Sequence, residues 1–419
     1  MSASITPCSA KSTSPSIMTP IAKKLVLKQL SKLHSGHLVL KDDSGEYHFG
    51  HRGDVLRGEI RILDSQAFTS IMTGGSIGAA EAFMTGDWVT PDLTALIRIM
   101  VRNMDILDQM EGGVALISQP FLKAFHRLNQ NTEKGSKRNI AAHYDLGNDF
   151  FQLFLDPTMM YSSGIFPHEN ATMEEASFHK LETICQRLDL NPEDHVVEIG
   201  TGWGGFAIHA AKHYGCKVTT TTISEQQFQL AKERVEREGL QEQITLLKQD
   251  YRLLEGKFDK LVSIEMIEAV GWKFYPVFFE TCARLLKDDG LMLLQAITIQ
   301  DQRYEMAKRN VDFIQRYIFP GSCIPSIQAL NTASTEACDF RLVQQEDFAG
   351  HYARTLRAWL DAFKERESEV IDQGYSDTFR KMWEFYLCYC EGGFAERAIG
   401  VSHLVYAKPR YENEPFSVK

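Results

Sequence analysis

The sequence predicts an α/β chain: a mostly parallel sheet with helices on both faces, preceded by a smaller α+β domain. Three observations carry this. From about residue 173, short apolar runs alternate with helix-period segments, the pattern of a parallel sheet whose crossovers are helices. The first run, HVVEIG, leads into four glycines within six residues, Gly200, Gly202, Gly204 and Gly205, after which a helix pattern begins. Before residue 130 the strand-like stretches are short and alternate apolar with polar residues, mixed with helical runs.

Taken in order, residues 1–18 are rich in Ser, Thr and Pro and read as a disordered tail. Residues 19–34, TPIAKKLVLKQLSKLH, read as an amphipathic helix carrying Lys23, Lys24, Lys28 and Lys32. It fits a helix docked on its own domain, or one lying on a membrane surface. HLVLKD, EYHFG and EIRIL are strands of the N-terminal domain, expected over 19–130. The polar stretch 126–140, HRLNQNTEKGSKRNI, marks a linker. Strands of the main sheet are expected at 195–200, 217–222, 244–249, 258–264 and 291–297, with helices at 203–213, 224–238 and 273–286. Long helices follow at 302–318 and 353–397, then GVSHLVYAK (400–408) as a late, antiparallel edge strand.

Composition narrows the function. The 419 residues, 44% hydrophobic and 11% aromatic, allow two or three domains with sizeable cores. A net charge of −10 argues against nucleic acid as a partner. The eight cysteines form no CxxC pair, which suits neither a zinc site nor a disulfide framework and fits reduced cytoplasmic thiols. No metal is expected. No signal peptide is expected, and the sequence holds no run of about 18 apolar residues that would cross a membrane.

A parallel sheet binds ligands at the carboxyl ends of its strands. The turn after Ile199 is placed there, its glycines letting a ligand approach the backbone closely and the following helix offering free N–H groups. Gly200, Gly202 and Gly205 satisfy G-x-G-x-x-G literally, so a dinucleotide is one candidate. Against it, the second strand, KVTTTT, ends without the acid that would hold a ribose 2′-hydroxyl. Glu198 also stands two residues before the first glycine. The pattern E-x-G-x-G-x-G resembles the S-adenosylmethionine turn of Rossmann-like methyltransferases, in which Glu198 orients the turn and the amino-acid end of the cofactor.

The surrounding segments resemble the cyclopropane-fatty-acyl-phospholipid synthase and mycolic acid cyclopropane synthase family. They are HYDLGNDFFQLFLDPTMMYSSGIF (143–166), the glycine turn, TTISEQQ (221–227), QDYR (249–252), SIEMIEAVG (263–271), YIFPGSCIPS (317–326), HYARTL (351–356) and YCEGGF (389–394). The resemblance runs from about 141 to 408, and weakly into EAFMTGDWVTPDL (81–93). It implies a class I methyltransferase fold over 131–419, with a mostly parallel seven-stranded sheet and a helical cap over the active site. It assigns cofactor contacts to Tyr161, Ser162, Glu198, Gly200, Thr201, Gly202, Gly204, Thr222, Ser224, Gln227, Asp250 and Tyr251. Hydroxyls and an amide after the second strand then replace the missing acid at the ribose.

The resemblance also implies the chemistry: methyl transfer from S-adenosylmethionine to the double bond of an acyl chain, through a carbocation whose collapse needs a base. Relatives hold a bicarbonate ion for this with Cys, Glu, His, Ile and Tyr. Mapped here, these are Ser163 in place of Cys, Glu268, Gln295 in place of His, the Ile297 backbone and Tyr352. Gln cannot titrate as His does, so two of the five positions depart from a bicarbonate site, and the product is open between a cyclopropane and a methylene or methyl branch. Cys390 falls on a cysteine marked in the family and reads as a packing or pocket residue rather than a nucleophile. The implied substrate is an unsaturated acyl phospholipid, with the protein peripheral to the inner face of the membrane and forming a homodimer. A hydrophobic tunnel is expected, with Phe150, Phe151, Phe154 and Phe166 as candidate lining or core residues. Two other functions compete: methylation of a small molecule on N, O or another carbon, and lipid binding without catalysis.

Overall fold

The computed structural model describes residues 18–111 and 146–412. The expected tail before Met18, the linker at 126–140, and His143, Tyr144 and Asp145 of the opening motif lie outside the described residues.

The N-terminal part opens with helix α1 (Met18–Leu30) and a four-stranded sheet, order β2-β1-β3-β4. β1 (His37–Asp42) pairs antiparallel with β2 (Gly45–Gly50) and parallel with β3 (Arg57–Ile62). β4 is the two-residue strand Trp88–Val89. Helices α2 (Gln66–Thr85), α3 (Leu93–Arg102) and α4 (Met104–Glu111) complete this region.

The main sheet has seven strands. They are β5 (His195–Ile199), β6 (Lys217–Thr221), β7 (Ile244–Leu247), β8 (Phe258–Ile264), β9 (Leu286–Ile299), β10 (Arg341–Asp347) and β11 (Ile399–Ala407), in the order β10-β11-β9-β8-β5-β6-β7. The run β9-β8-β5-β6-β7 is parallel throughout. Its strands read as apolar runs because both faces are covered: Val196, Val197, Leu261 and Val262 are all buried. The fold class expected from the sequence, a mostly parallel sheet with a smaller N-terminal region, is the one observed.

Two details differ from expectation. β11 is antiparallel but is not an edge: it lies between β9 and β10. The edge is β10, RLVQQED, whose polar sequence shows no strand alternation because its residues remain largely open to solvent; a charged edge strand also resists pairing with another chain. The long helices are also broken. The first becomes Asp301–Ala307 and Phe313–Tyr317, the second of these started by an Asp312–Gln315 capping box. The second becomes α5 (Ala349–Glu365), α6 (Glu367–Asp372) and α7 (Asp377–Ala395), with Gly374 at φ 89° and a Ser376 cap before the last.

α7 ties the two parts together. Thr94 Oγ1 on α3 donates to Glu391 at 2.8 Å, and Arg98 and Arg102 both donate to Glu396. Phe385 packs on Phe83 of α2, with ring centroids 5.8 Å apart. One apolar core therefore runs from α1 through α2 and α3 into α5 and α7.

Candidate active site

The site lies at the carboxyl ends of β5, β6, β8 and β9, where a parallel sheet places its ligands. The turn after β5 is held by two backbone N–H groups, Gly200 and Thr201, that both donate to Thr221 O. Gly200, Gly202 and Gly204 have φ of 104°, 52° and 85°, values that favour glycine. Gly205 starts the next helix, and a Cβ there would meet Met160 Sδ at 2.5 Å and Thr158 O at 2.9 Å. At Gly202 the situation is the reverse: a Cβ would meet nothing within 4 Å. The turn thus leaves an open cradle that any side chain at 202 would fill.

A cavity of about 590 Å³ opens over this turn. Tyr161, Ser162, Glu198, Gly200, Thr201, Gly202, Thr222, Gln227, Asp250 and Tyr251 line it, all on the sequence-based set. Gly204 and Ser224 do not. Gly204 caps the helix that starts at Gly205, and Ser224 caps the helix Glu225–Arg237, accepting from the Gln227 N–H at 3.3 Å. The same cavity continues into the N-terminal region, where Val26, Leu30, Leu40, Ile60, Leu96 and Met100 form an apolar wall. Phe150, Phe151, Phe154 and Phe166 are not part of that wall. They are buried; Phe150 meets Phe151, Phe154 and Trp383 edge-on, and Phe151 and Phe154 also pack on Trp383. The tunnel expected from their sequence is built by a different part of the chain, because the opening helix turns its apolar face inward to the cap.

Glu198 is buried on β5 and accepts from Thr220 Oγ1 at 2.6 Å, while Thr220 Oγ1 is 2.7 Å from Thr201 Oγ1. Burial pushes its carboxyl up to about 8. Lys180, on the buried face of helix Met173–Arg187, donates to Ser162 Oγ at 2.7 Å. Burial pulls the Lys180 ammonium down to about 8, against the attraction of Glu265, Asp156 and Glu198. Asp250 is engaged by Arg252 at 2.6 and 2.8 Å. Tyr161 shares a hydrogen bond of 2.9 Å with Tyr386. Cys390 lines the cavity, and burial pushes its thiol far up, so it stays neutral and unsuited to nucleophilic attack.

The five positions tied by resemblance to a bicarbonate ion are arranged otherwise than a free anion site requires. Glu265, which the sequence reading did not single out, gathers their donors. Its Oε1 accepts from Gln295 Nε2 at 2.7 Å and from the Ser163 N–H at 3.0 Å, and its Oε2 accepts from Tyr352 Oη at 2.6 Å. Ser163 Oγ donates to Gly164 O at 3.0 Å, and the Ile297 N–H donates to Glu268 Oε1 at 2.5 Å. Ser163 and Gln295 are buried behind Glu265, off the cavity wall; Glu265, Glu268 and Tyr352 are on it. The donors seen at Ser163, Gln295, Ile297 and Tyr352 all go to a carboxylate or carbonyl of the chain, so these four positions do not fit a bicarbonate ion.

Gln295 is itself fixed from behind. His403, its cross-strand partner on β11, is 2.9 Å away from Gln295 Oε1 through Nε2, and Arg187 lies 2.6 Å from His403 Nδ1. Arg only donates, so Nδ1 must accept and Nε2 carries the hydrogen. Gln295 must then accept with Oε1 and donate with Nε2 to Glu265. Burial and the charges of Arg187 and Lys180 hold His403 far below its usual value, so it stays neutral.

Two carboxylates thus share the site with different surroundings. Burial raises both. Three donors and the Lys180 charge favour ionised Glu265. Glu268 has one donor, an Oε2 without a partner, and Glu265 beside it; burial first and that charge second push it up to about 8. Burial thus favours the protonated form of Glu268, while at Glu265, which burial also raises overall, three donors and Lys180 oppose the shift.

Glu265, Lys180 and His403 each left a trace in the sequence. Glu265 stands three residues before Glu268 just past an apolar strand, Lys180 interrupts the apolar pair Leu181-Ile184 on the inner face of its helix, and His403 interrupts a buried strand. Among the described residues no group of three or more His, Cys, Asp or Glu could hold a metal ion.

The sequence pattern of the family described as mycolic acid cyclopropane synthetase matches residues 131–404. A cyclopropane-fatty-acyl-phospholipid synthase of Escherichia coli is 34% identical over 353 residues, covering 84% of this chain and 88% of its own. A tuberculostearic acid methyltransferase of Mycobacterium tuberculosis is 34% identical over 328 residues, 76% of each chain. Among solved structures, a cyclopropane synthase of Mycobacterium tuberculosis superposes with a TM-score of 0.61 at 31% identity, over 65% of this chain and 98% of that one. A mycolic acid cyclopropane synthase complexed with SAH and CTAB gives a TM-score of 0.61 at 29% identity, over 65% of this chain and 98% of that one.

Proposed function

The chain belongs to the mycolic acid cyclopropane synthetase family, and from that premise we propose that it transfers a methyl group from S-adenosylmethionine to the double bond of an unsaturated fatty acyl chain of a phospholipid, giving a cyclopropane. One observation carries this reading: a single cavity joins the glycine cradle and the Glu265, Glu268 and Tyr352 cluster to a long apolar wall.

When bound, S-adenosylmethionine supplies an activated methyl group on a sulfonium. The chain's own groups divide the remaining work. The open cradle at Gly202, with Thr222, Gln227 and Asp250 around it, would hold the cofactor. Glu198, braced by Thr220, would orient the turn. The apolar wall would bind the acyl chain and exclude water, which would otherwise trap the cation. The negative charge of Glu265 stabilises positive charge developing on the acyl chain.

Purified protein incubated with methyl-labelled cofactor and unsaturated phospholipid vesicles is expected to place label in the acyl chains. Ring and methylene-branched products have equal masses, so NMR of the lipid decides between them. Cyclopropane methylene signals are expected. Vinylic signals instead would replace the ring with a methylene branch, formed from the same cation after a hydride shift. Label confined to soluble amines, or no transfer, would overturn the lipid substrate.

The membrane contact is part of the proposal. No helix among the described residues is long and apolar enough to cross a membrane. Yet α1 turns Ile21 and Leu25 outward, beside Lys24, Lys28 and Lys32, while Val26 and Leu30 on its other face line the cavity. A helix with this arrangement lies on an anionic surface and opens the cavity toward it. Its place is the cytoplasmic face, consistent with the free state of every described cysteine. Burying two aliphatic side chains partly in lipid is worth about 1–3 kcal/mol. The double variant Ile21→Asp and Leu25→Asp should therefore cosediment with anionic vesicles about tenfold less well, with turnover on detergent-dispersed substrate retained. Unchanged cosedimentation would remove α1 from the membrane contact.

A further inference from the structure

Glu265 is built into the site at a cost. Its φ is 49°, a left-handed conformation unusual for a non-glycine residue. The strained turn is held by its own N–H, which donates to Gln295 O at 2.8 Å. A strained residue that persists is over-determined by its surroundings. Here those surroundings are the three donors on its carboxylate, the Arg187–His403–Gln295 chain behind them, and the buried Lys180. The half-buried side chain still lines the cavity, beside Glu268 and Tyr352. The groups that the resemblance assigned to an external anion therefore converge on an internal one.

We propose that the Glu265 carboxylate is a resident base: it replaces the bicarbonate ion and accepts the proton released when the methylated acyl cation collapses. The inference rests on the acyl-transfer reading above. In the step, a C–H bond of the transferred carbon breaks. Its electron pair closes the third side of the ring, or forms the exocyclic double bond after a hydride shift, and its proton passes to a Glu265 oxygen. The cation is discharged, no oxidant or reductant is consumed, and the neutral carboxyl returns its proton to solvent when product leaves. Glu265 serves either product, so the proposal does not depend on which one forms. Glu268, pushed toward its protonated form by burial and held by a single donor, is the poorer base of the two. Ser163 and Gln295, the two departures from the family pattern, become intelligible: they are donors to a carboxylate, and a Gln locked by His403 presents only its N–H₂ to Glu265.

Three variants and a bicarbonate titration test this. Wild-type turnover should be unchanged in CO₂-free buffer. Glu265→Gln, close in shape but without the base, should lose about 10²–10⁴-fold in kcat, the usual worth of a positioned base, with S-adenosylhomocysteine affinity retained. Glu265→Gly relaxes the strained φ and exposes the three donors. It should be inactive in CO₂-free buffer and partly restored by bicarbonate or formate. Glu265→Asp shortens the reach and should fall between wild type and Glu265→Gln. A readout independent of turnover is the line width of ¹³C-bicarbonate in NMR, expected to broaden with Glu265→Gly and not with wild type. Wild-type activity that falls without CO₂ and returns with bicarbonate, bicarbonate binding to wild type, or near-full activity of Glu265→Gln would each overturn the proposal. If wild type methylates no acyl chain, the acyl-transfer reading fails, while the binding contrast still decides whether Glu265 fills the anion site.

Discussion

Gly202→Val should abolish cofactor binding, with the Kd for S-adenosylhomocysteine in calorimetric titration raised by at least about 100-fold, or about 2.7 kcal/mol. The position has φ 52° and open space where a Cβ would stand. It lines the cavity, so a branched side chain would occupy the cradle rather than clash with the protein. Left-handed backbone costs a β-branched residue roughly 1–2 kcal/mol in addition, a melting shift of only a few degrees in a domain of this class. Gly202→Ala, with one methyl, should weaken binding less. The contrast with Gly205 is useful: a side chain there collides with Met160 and Thr158, so Gly205→Val should lower the melting temperature first. An unchanged affinity in Gly202→Val would take the turn out of the cofactor site.

Lys180→Met should move the pH profile of turnover. Lys180 is fully buried, donates only to Ser162 among the hydrogen bonds seen, and faces Glu265, Asp156 and Glu198. Its charge holds Glu265 below the value that burial alone would set. Without it, Glu265 keeps its proton to higher pH, and the acid limb of kcat should shift upward. A shift of one to two pH units would lower the rate on that limb by about 10–100-fold, with recovery at alkaline pH and partial retention in Lys180→Arg. A purely structural lysine would lower the rate equally at every pH. Stability gives a second check. The folded Lys180 sits at about 8 against 10.5 for an ordinary lysine, so between those values the unfolded chain binds the extra proton. Wild type should therefore gain stability relative to Lys180→Met as pH rises from about 8 to 10.5. A rate loss without a shift of the limb would reduce Lys180 to packing.

Much of the architecture was legible because parallel strands covered on both faces must be apolar along their length. β8 was predicted at its observed bounds, and β5, β6 and β7 began where expected. β10 was not legible, since a solvent-facing edge carries no such signature. The breaks in the cap helices were written as local caps, Asp312, Gly374 and Ser376, which compete weakly with a continuous apolar periodicity.

The sheet, the glycine turn and the chemically able residues could be read from residue order alone, because each depends on neighbours within a few positions along the chain. Residue order also marked Ser163 and Gln295 as departures. Only the tertiary structure decided what those departures mean. Ser163, Glu265, Gln295, Tyr352 and His403 come from five separate segments, and their hydrogen bonds join residues up to 108 positions apart. The apolar wall likewise belongs to the N-terminal region, brought over the glycine turn by its packing on α7. Hydrogen-bond direction and shared burial are properties of the folded assembly, since a donor is committed to one acceptor only when packing brings the two within about 3 Å and excludes the water that would otherwise compete.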